Sequence, residues 1–279
     1  MLSNCDASAP RLMTECEALD KMLSGAVPVN DIEHIDTLTA LGRTLAAPQY
    51  SLIDVPPADN SAMDGYAVSS KDAPGTGKIK LKVSQRITAG QTGTALEPGT
   101  AARIFSGASL PPGADTVVIQ EDCADDNGIV TIPAPLLAGQ HVRKAGEDII
   151  KGSEILPAGI RLRPQELGLL ASIGIAEIPV YRKLKVAVFF TGDELVTPGE
   201  ALTPGKIYNS NRYTLTGLLT ALACDTFDLG VVADDLAATC EALERFAENA
   251  ALIISFGGVS VGEEDDVKSA VDQPGKLEL

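Results

Sequence analysis

The sequence of 279 residues contains no tryptophan, and aromatic residues make up only 4% of it. Hydrophobic residues reach 45%, so its cores must be built from aliphatic side chains. Positive charge is scarce: 22 Lys and Arg stand against 38 Asp and Glu, a formal net charge of −16. That balance argues against non-specific binding to nucleic acid or to an anionic membrane surface. If the ligand is itself anionic, a metal ion, helix N-termini or a local basic cluster must supply the attraction. The five cysteines (Cys5, Cys16, Cys123, Cys224, Cys240) include no C-x-x-C pair, and an odd, dispersed set reads as reduced thiols in a cytosolic protein. Only two histidines are present, His34 and His141, far apart in sequence, which argues against a zinc site and against a Ser-His-Asp triad. The N-terminus lacks a basic stretch followed by an apolar one, and no apolar run reaches the roughly 18 residues of a membrane span. The expectation is a soluble, cytoplasmic protein of two or three compact units.

What the sequence does hold is frequent punctuation, with 26 glycines and 17 prolines. Residues 9–24 read as an amphipathic helix with Leu12, Cys16, Leu19 and Leu23 on one face. A second short helix is expected over 37–46. The stretch Asp54 to Tyr66 cannot be helix interior, because Pro56 and Pro57 open it and Asn60-Ser61 and Asp64-Gly65 form turns. Between 78 and 160 short strands alternate with turns: 78–88, 100–106, 116–120 and 128–132, separated by Pro98-Gly99, Pro111-Pro112-Gly113 and Asn127-Gly128. A helix over 163–173 has proline near its first turn. From Leu184 the pattern changes to βαβαβα: strands at 184–190, 226–232 and 251–256, helices at 211–223, 235–249 and from about 263. That alternation implies a parallel sheet with right-handed crossovers.

The polar residues converge on one edge of this predicted sheet. In a parallel α/β sheet ligands bind beyond the carboxyl ends of the strands. The first strand runs into Thr191-Gly-Asp-Glu194, the second into Asp234-Asp235, and the third into Gly257-Gly-Val-Ser-Val-Gly262 and then Glu263-Glu-Asp-Asp266. Each piece has a plain alternative when taken singly. Asp234 or Asp235 caps the next helix, Asp193 and Glu194 decorate a helix start, and Gly257-Gly258 is a tight turn. The glycine-rich loop lacks the Gly-Lys-[Ser/Thr] ending of a P-loop and is not G-x-G-x-x-G. Ser260 has no base nearby in sequence, so its hydroxyl and the loop amides suit an oxyanion better than nucleophilic attack. Together, an amide cradle beside several carboxylates suits a Mg²⁺-bridged phosphate compound, and the metal reconciles an acidic site with an anionic ligand. Lys206, Arg212 and Lys268 are candidates for local positive charge, and the 59–66 loop adds Asp59 and Asp64.

At these residues the sequence resembles a known family. Asp59-Asn-Ser-Ala-Met-Asp-Gly-Tyr-Ala67, Thr191-Gly-Asp-Glu-Leu195, Asn209-Ser-Asn211 and Gly257-Gly-Val-Ser-Val-Gly262 occur in order and at familiar separations. Arg103-Ile-Phe-Ser-Gly107, Pro112-Gly-Ala-Asp115, Gln120-Glu121 and Gly146-Glu-Asp148 match as well. Together they look like the molybdopterin molybdenumtransferases, the group that includes MoeA and the gephyrin E domain. The resemblance implies Mg²⁺-dependent insertion of molybdate into adenylylated molybdopterin with release of AMP. It implies a multidomain α/β plus β fold: a mixed α/β stalk (1–54 and 141–182), an inserted β-rich domain (55–140) and a three-layer αβα parallel-sheet molybdopterin-binding domain (184–279). It also implies a homodimer whose cleft lies between the last domain and the partner's β-rich region.

By motif position the catalytic set is Asp64, Ser106, Asp148, Glu194, Asp234 and Asp265, with Glu194, Asp234 and Asp265 holding Mg²⁺. The pterin nucleotide would be bound by Thr191, Gly192, Asp193, Asn211, Gly257, Gly258, Ser260 and Gly262. Ser106 stands where the family commonly has Thr, and Asp266 where it often has an aromatic residue. The family pattern continues into a Pro-Gly-Lys-Pro segment and a C-terminal β domain, so the chain ending at Leu279 is expected to be a C-terminally truncated form with an incomplete α/β domain. Two other readings follow: a molybdopterin adenylyltransferase-like enzyme, which would lack the 59–67 loop and the β-rich module, and a non-catalytic fragment that dimerises and holds ligand.

Overall fold

A computed structural model describes residues 13–257 and 266–271. The chain divides into two compact units, one over His34–Val180 and one combining the described residues up to Glu33 with those from Tyr181 onward.

The first helix, α1 (Glu15–Gly25), begins where a capping box forms: Thr14 accepts from the Glu17 amide while the Glu17 carboxylate accepts from the Thr14 amide. None of its residues is buried, and Leu19 and Leu23 remain about half or more exposed. The amphipathic pattern therefore gave a helix whose apolar face has no cover within the described residues. Strand β1 (Ile32–Asp36) follows and pairs with β12 (Glu177–Tyr181). The boundary between the units passes through both strands.

The expected helix over 37–46 is absent. A single 3-10 turn, Thr37–Thr39, is capped by the Asp36 carboxylate on the Leu38 amide. Gly42 then takes φ +76°, and the backbone continues in isolated bridges, Thr44 to Arg161 and Leu45 to Val180. A left-handed glycine terminates helical propagation, and the bridges carry Leu45 into a core with Leu156, Leu162, Leu170, Ile178 and Val180. Strand β2 (Gln49–Tyr50) pairs with β11 (Glu154–Leu156), and helix α2 (Pro164–Ser172) seals this core with fully buried Leu170.

The β-rich part is a six-stranded mixed sheet. Its strands are β4 (Gly65–Val68), β5 (Gly77–Ile87), β6 (Thr100–Ile104), β7 (Thr116–Ile119), β8 (Ala124–Asp126) and β9 (Ile129–Ala134), in spatial order β7-β4-β6-β5-β9-β8. All neighbours are antiparallel except β5 and β6. Both faces of its centre are buried. Tyr66, Val68, Leu81, Ala101 and Val118 belong to one cluster, and Ala67, Ile87, Ala102, Ile104 and Val117 to another. Alternation along β4 and β6 assigns these clusters to opposite faces. Beside this sheet, the short strand β3 (Asn60–Ser61) pairs with β10 (Val142–Arg143).

In the other unit the expected parallel sheet is present. Strand β13 (Lys185–Thr191) lies between β16 (Asp225–Val232) and β17 (Leu252–Phe256), parallel to both. All of β13 after Lys185 is buried, as its continuous apolar run requires of a central parallel strand. Phe189 is fully buried and Phe190 nearly so, each worth about 1.5–3 kcal/mol relative to exposure. A small parallel pair, β14 (Leu195–Val196) with β15 (Ile207–Tyr208), precedes helix α3 (Ser210–Ala221). Helices α4 (Leu236–Ala247) and α5 (Asp266–Val271) complete the described part. Among the described residues no helix is long and apolar enough to cross a membrane.

Candidate functional site

In the His34–Val180 unit the polar loop 54–66 is clamped along its length by backbone hydrogen bonds. Val55 donates to Ile149, while Gly146 and Asp148 donate back to Pro56 and Val55. Ser61 donates to Ala108 and accepts from Gly107, and Ala62 donates to His141. The loop is therefore a fixed platform rather than a free surface turn.

Two predicted site residues meet on it. The Ser106 amide and hydroxyl both donate to Asp64 Oδ1 at 2.8 Å. These bonds, amide first, together with the nearby Arg103 charge, hold the Asp64 carboxyl below the usual aspartate range. Asp64 is thus a half-buried, ionised group in a set position. Its main-chain oxygen accepts from the Gln120 amide, and Arg103 donates to Gly65 O and to Gln120 Oε1. Asp59 is occupied differently: Lys144 Nζ at 2.7 Å, then the Ala145 amide, hold its carboxyl low.

Asp148 is brought to the same platform. Arg143, which sits opposite Asn60 across the β3–β10 pair, reaches both Asp148 oxygens at 2.6 Å and Glu147 at 3.1 Å. These bonds, Asp148 first, raise the Arg143 pKa. Asp148 borders a cleft of about 390 Å³ together with Glu147, Ser153 and Leu169.

In the other unit the strand ends converge as expected. Thr191 lies opposite Val232 and Phe190 opposite Phe256, so β13, β16 and β17 finish at one edge. Gly192 there takes φ +141° and lies against the Glu194 carboxylate; a Cβ on Gly192 would fall 2.6 Å from Glu194 Oε2. Gly257 takes φ +103°, and a Cβ there would fall 2.6 Å from Thr191 Oγ1 and 2.7 Å from Thr191 O. Only glycine permits that approach of the third strand's loop to the first strand's end. Thr191 Oγ1 is buried and has no hydrogen-bond partner among the described residues. Lys206 Nζ donates to Asp193 O and so helps to fix this turn.

The alternative readings divide cleanly. Asp235, not Asp234, caps α4 by accepting from the Ala238 amide at 2.8 Å. Asp193 and Glu194 precede β14 and not a helix. Arg212 pairs with Asp228 at 2.7 Å and offers no free charge to a ligand. Asn211 is exposed in the first turn of α3, whereas Asn209 is the buried cap, its Oδ1 accepting from the Arg212 amide and its Nδ2 without a partner among the described residues. Asn209 thus joins the candidates; the motif containing it was visible, but a cap and its neighbour two residues on are not separable by spacing. Gly258, Ser260, Gly262 and Asp265 lie outside the described residues, as does the side chain of Lys268. Among the described residues no group of three metal-ligating side chains occurs. Glu194 and Asp234 still follow adjacent strand ends, and carboxylate oxygens are the donors a hard dication takes.

The chain has relatives among known proteins. Residues 13–174 match the family described as "MoeA N-terminal region (domain I and II)", and residues 187–279 match the "Probable molybdopterin binding domain". The chain is 39% identical over 268 residues to a molybdopterin molybdenumtransferase of Haemophilus influenzae, covering 95% of this chain and 66% of that protein. It is 42% identical over 244 residues to one from Nostoc, covering 85% and 55%. The chain therefore spans between about half and two thirds of the curated relatives it matches. A crystal structure of the molybdopterin biosynthesis protein moeA from Pyrococcus horikoshii superposes with a TM-score of 0.79 at 34% identity, covering 96% of this chain and 68% of that one.

Proposed function

Because the chain belongs to the MoeA family of molybdenum cofactor biosynthesis, we propose that the whole protein is a transferase that inserts molybdate into adenylylated molybdopterin and releases AMP. The observation that carries this reading is the edge where β13, β16 and β17 end. There the buried Thr191 hydroxyl beside Gly257 lacks a partner among the described residues, and so does the amide of buried Asn209, the cap of α3. A buried polar group left unsatisfied costs about 1–3 kcal/mol, a cost a polar ligand removes. Thr191 and Asn209 would bind and orient the pterin nucleotide, with Gly192 and Gly257 allowing its close approach. Gly258, Ser260 and Gly262 would extend the amide cradle.

Glu194, Asp234 and Asp265 would hold a magnesium ion, since carboxylate oxygens are the donors a hard dication takes. When bound, Mg²⁺ supplies neutralisation of charge on phosphate oxygens. Asp64, kept ionised by Ser106, and Asp148, held by Arg143, would act on the ligand from the cleft of a second subunit in a homodimer. The proposed division into a stalk (1–54 and 141–182), a β-rich domain (55–140) and a pterin-binding α/β domain (from 184) assigns those two groups away from the pterin edge. An adenylyltransferase would not need the 59–67 loop or the six-stranded sheet that this chain has.

Calorimetric titration of adenylylated molybdopterin into the chain, with and without Mg²⁺, tests the reading. Saturable binding that requires Mg²⁺ and weakens at least about tenfold in Asp234→Asn is expected. Equal binding in the presence and absence of Mg²⁺, or binding untouched by Asp234→Asn, would sink the metal assignment; no binding by the folded chain would sink the pterin edge as a sufficient ligand site.

A further inference from the structure

At one end of the six-stranded sheet two arginine side chains lie together without a direct carboxylate partner among the described residues. Strand β5 reads Lys78, Lys80, Lys82, Ser84, Arg86 at alternate positions, and plain alternation would set all of them on one face. The pairing of β5 with β6 slips between Val83 and Gln85. Before the slip Leu81 and Val83 pack with the Tyr66–Val118 cluster; after it Ile87 packs with the Ala67–Ile104 cluster. The extra residue thus moves Arg86 to the face opposite that of the lysines. Arg86 now lies beside Arg103 in register, and both guanidiniums stack on the same ring, 4.6 and 4.7 Å from the Phe105 centroid. Arg103 also lies over Tyr66 at 5.1 Å.

Two like charges directly across a strand pair repel each other. Arg103 spends its donors on neutral oxygens, Gly65 O and Gln120 Oε1. The Arg86 side chain is exposed and has no hydrogen bond or ion pair among the described residues, only its ring contact. Guanidiniums present planar donor forks that match tetrahedral oxyanions, and the aromatic ring fixes the plane of each. The same sheet end carries Ser106 and Asp64, since Gly65 pairs with Ile104 and Ile87 with Ile104.

We propose that Arg86 and Arg103, stacked on Phe105, form a binding subsite for a dianionic tetrahedral oxyanion next to the Asp64–Ser106 pair. The oxyanion is either a free inorganic ion or the terminal group of a phosphate monoester. The inference rests on the sheet geometry and not on the reaction assigned above. Arg86 is the residue to test, because it makes no contact on which the fold depends beyond the ring.

The experiment titrates the chain separately with inorganic phosphate, molybdate and adenosine monophosphate, following the Arg86 and Arg103 Nε–H resonances by NMR. Saturable shifts of both resonances are expected in the native chain, and the affinity read from the Arg103 resonance is expected to weaken roughly tenfold in Arg86→Gln, the loss of one charge-assisted contact, and further with added salt. Binding of phosphate or molybdate identifies a free-ion subsite, and binding of adenosine monophosphate alone identifies a phosphoester subsite; either supports the proposal. Arg86→Lys, which keeps the charge but not the planar fork, is expected to recover only part of the affinity. Overturning results are no shift with any of the three anions, or unchanged affinity in a folded Arg86→Gln variant.

Discussion

At the scale of single residues, the pair Asp64–Ser106 shows how a side chain is tuned without burial. Asp64 stays partly open to solvent, yet two donors from one residue hold its carboxyl below the ordinary range. Ser106→Ala removes the hydroxyl and leaves the amide, so the Asp64 pKa is expected to rise part of the way back toward an unperturbed aspartate. Titration of the Asp64 carboxyl carbon by NMR checks this, and an unchanged value would show that the amide alone sets it. Ser106 was legible as a hydroxyl in a position where the family favours threonine, and Asp64 as the acidic tip of a loop too rich in turn formers to be regular. Arg86 was not legible. Its face depends on one extra residue in a strand, and no alternation pattern announces where a bulge falls.

At the scale of elements, the strands from 77 to 134 and the parallel βαβ run were readable, because turn chemistry and alternating or continuous apolar runs specify them locally. The failure at 37–46 has a tertiary cause. Leu38 and Leu41 are exposed at 86% and 58%, so no apolar helix face was available to bury, and Leu45 joins the core through a bridge instead. Helix α2 illustrates the reverse, an element whose start is fixed by charge. Glu166 accepts from the Arg163 guanidinium and amide, and the guanidinium first of all takes its pKa from 4.5 to about 2. A depressed carboxylate contributes stability that is complete above its unfolded pKa and is lost as pH falls through the folded one. The stability gap between the native chain and Glu166→Gln is therefore expected to be constant above about pH 5 and to narrow steadily toward pH 2. Thermal unfolding at several pH values measures the gap; a gap that widens on acidification would exclude this capping role.

At the scale of the molecule, each unit has its own aliphatic cores, as the poverty in aromatic residues required. The His34–Val180 unit holds three buried clusters, and the β13-centred sheet is built around Val186, Val188 and Phe190. Calorimetric unfolding is expected to resolve two transitions. Leu170→Ala, which removes a fully buried side chain of the 34–180 unit, should lower only one of them, by about 2–5 kcal/mol in stability. A single transition that moves as a whole would show that the units unfold together. The sequence indicated the change of pattern near residue 184 but not that the chain before Glu33 clusters with the chain after Tyr181, because that grouping depends on contacts far apart in sequence.

That grouping has a consequence for how such a chain can be rebuilt. The path leaves one unit through β1 and returns through β12, and these two strands are partners. Entry and exit are thus neighbours, so the 147 or so residues between them form a cassette on a narrow doorway. A cassette of this kind can lengthen, shorten or be exchanged for a relative's without stretching the backbone on which it is mounted.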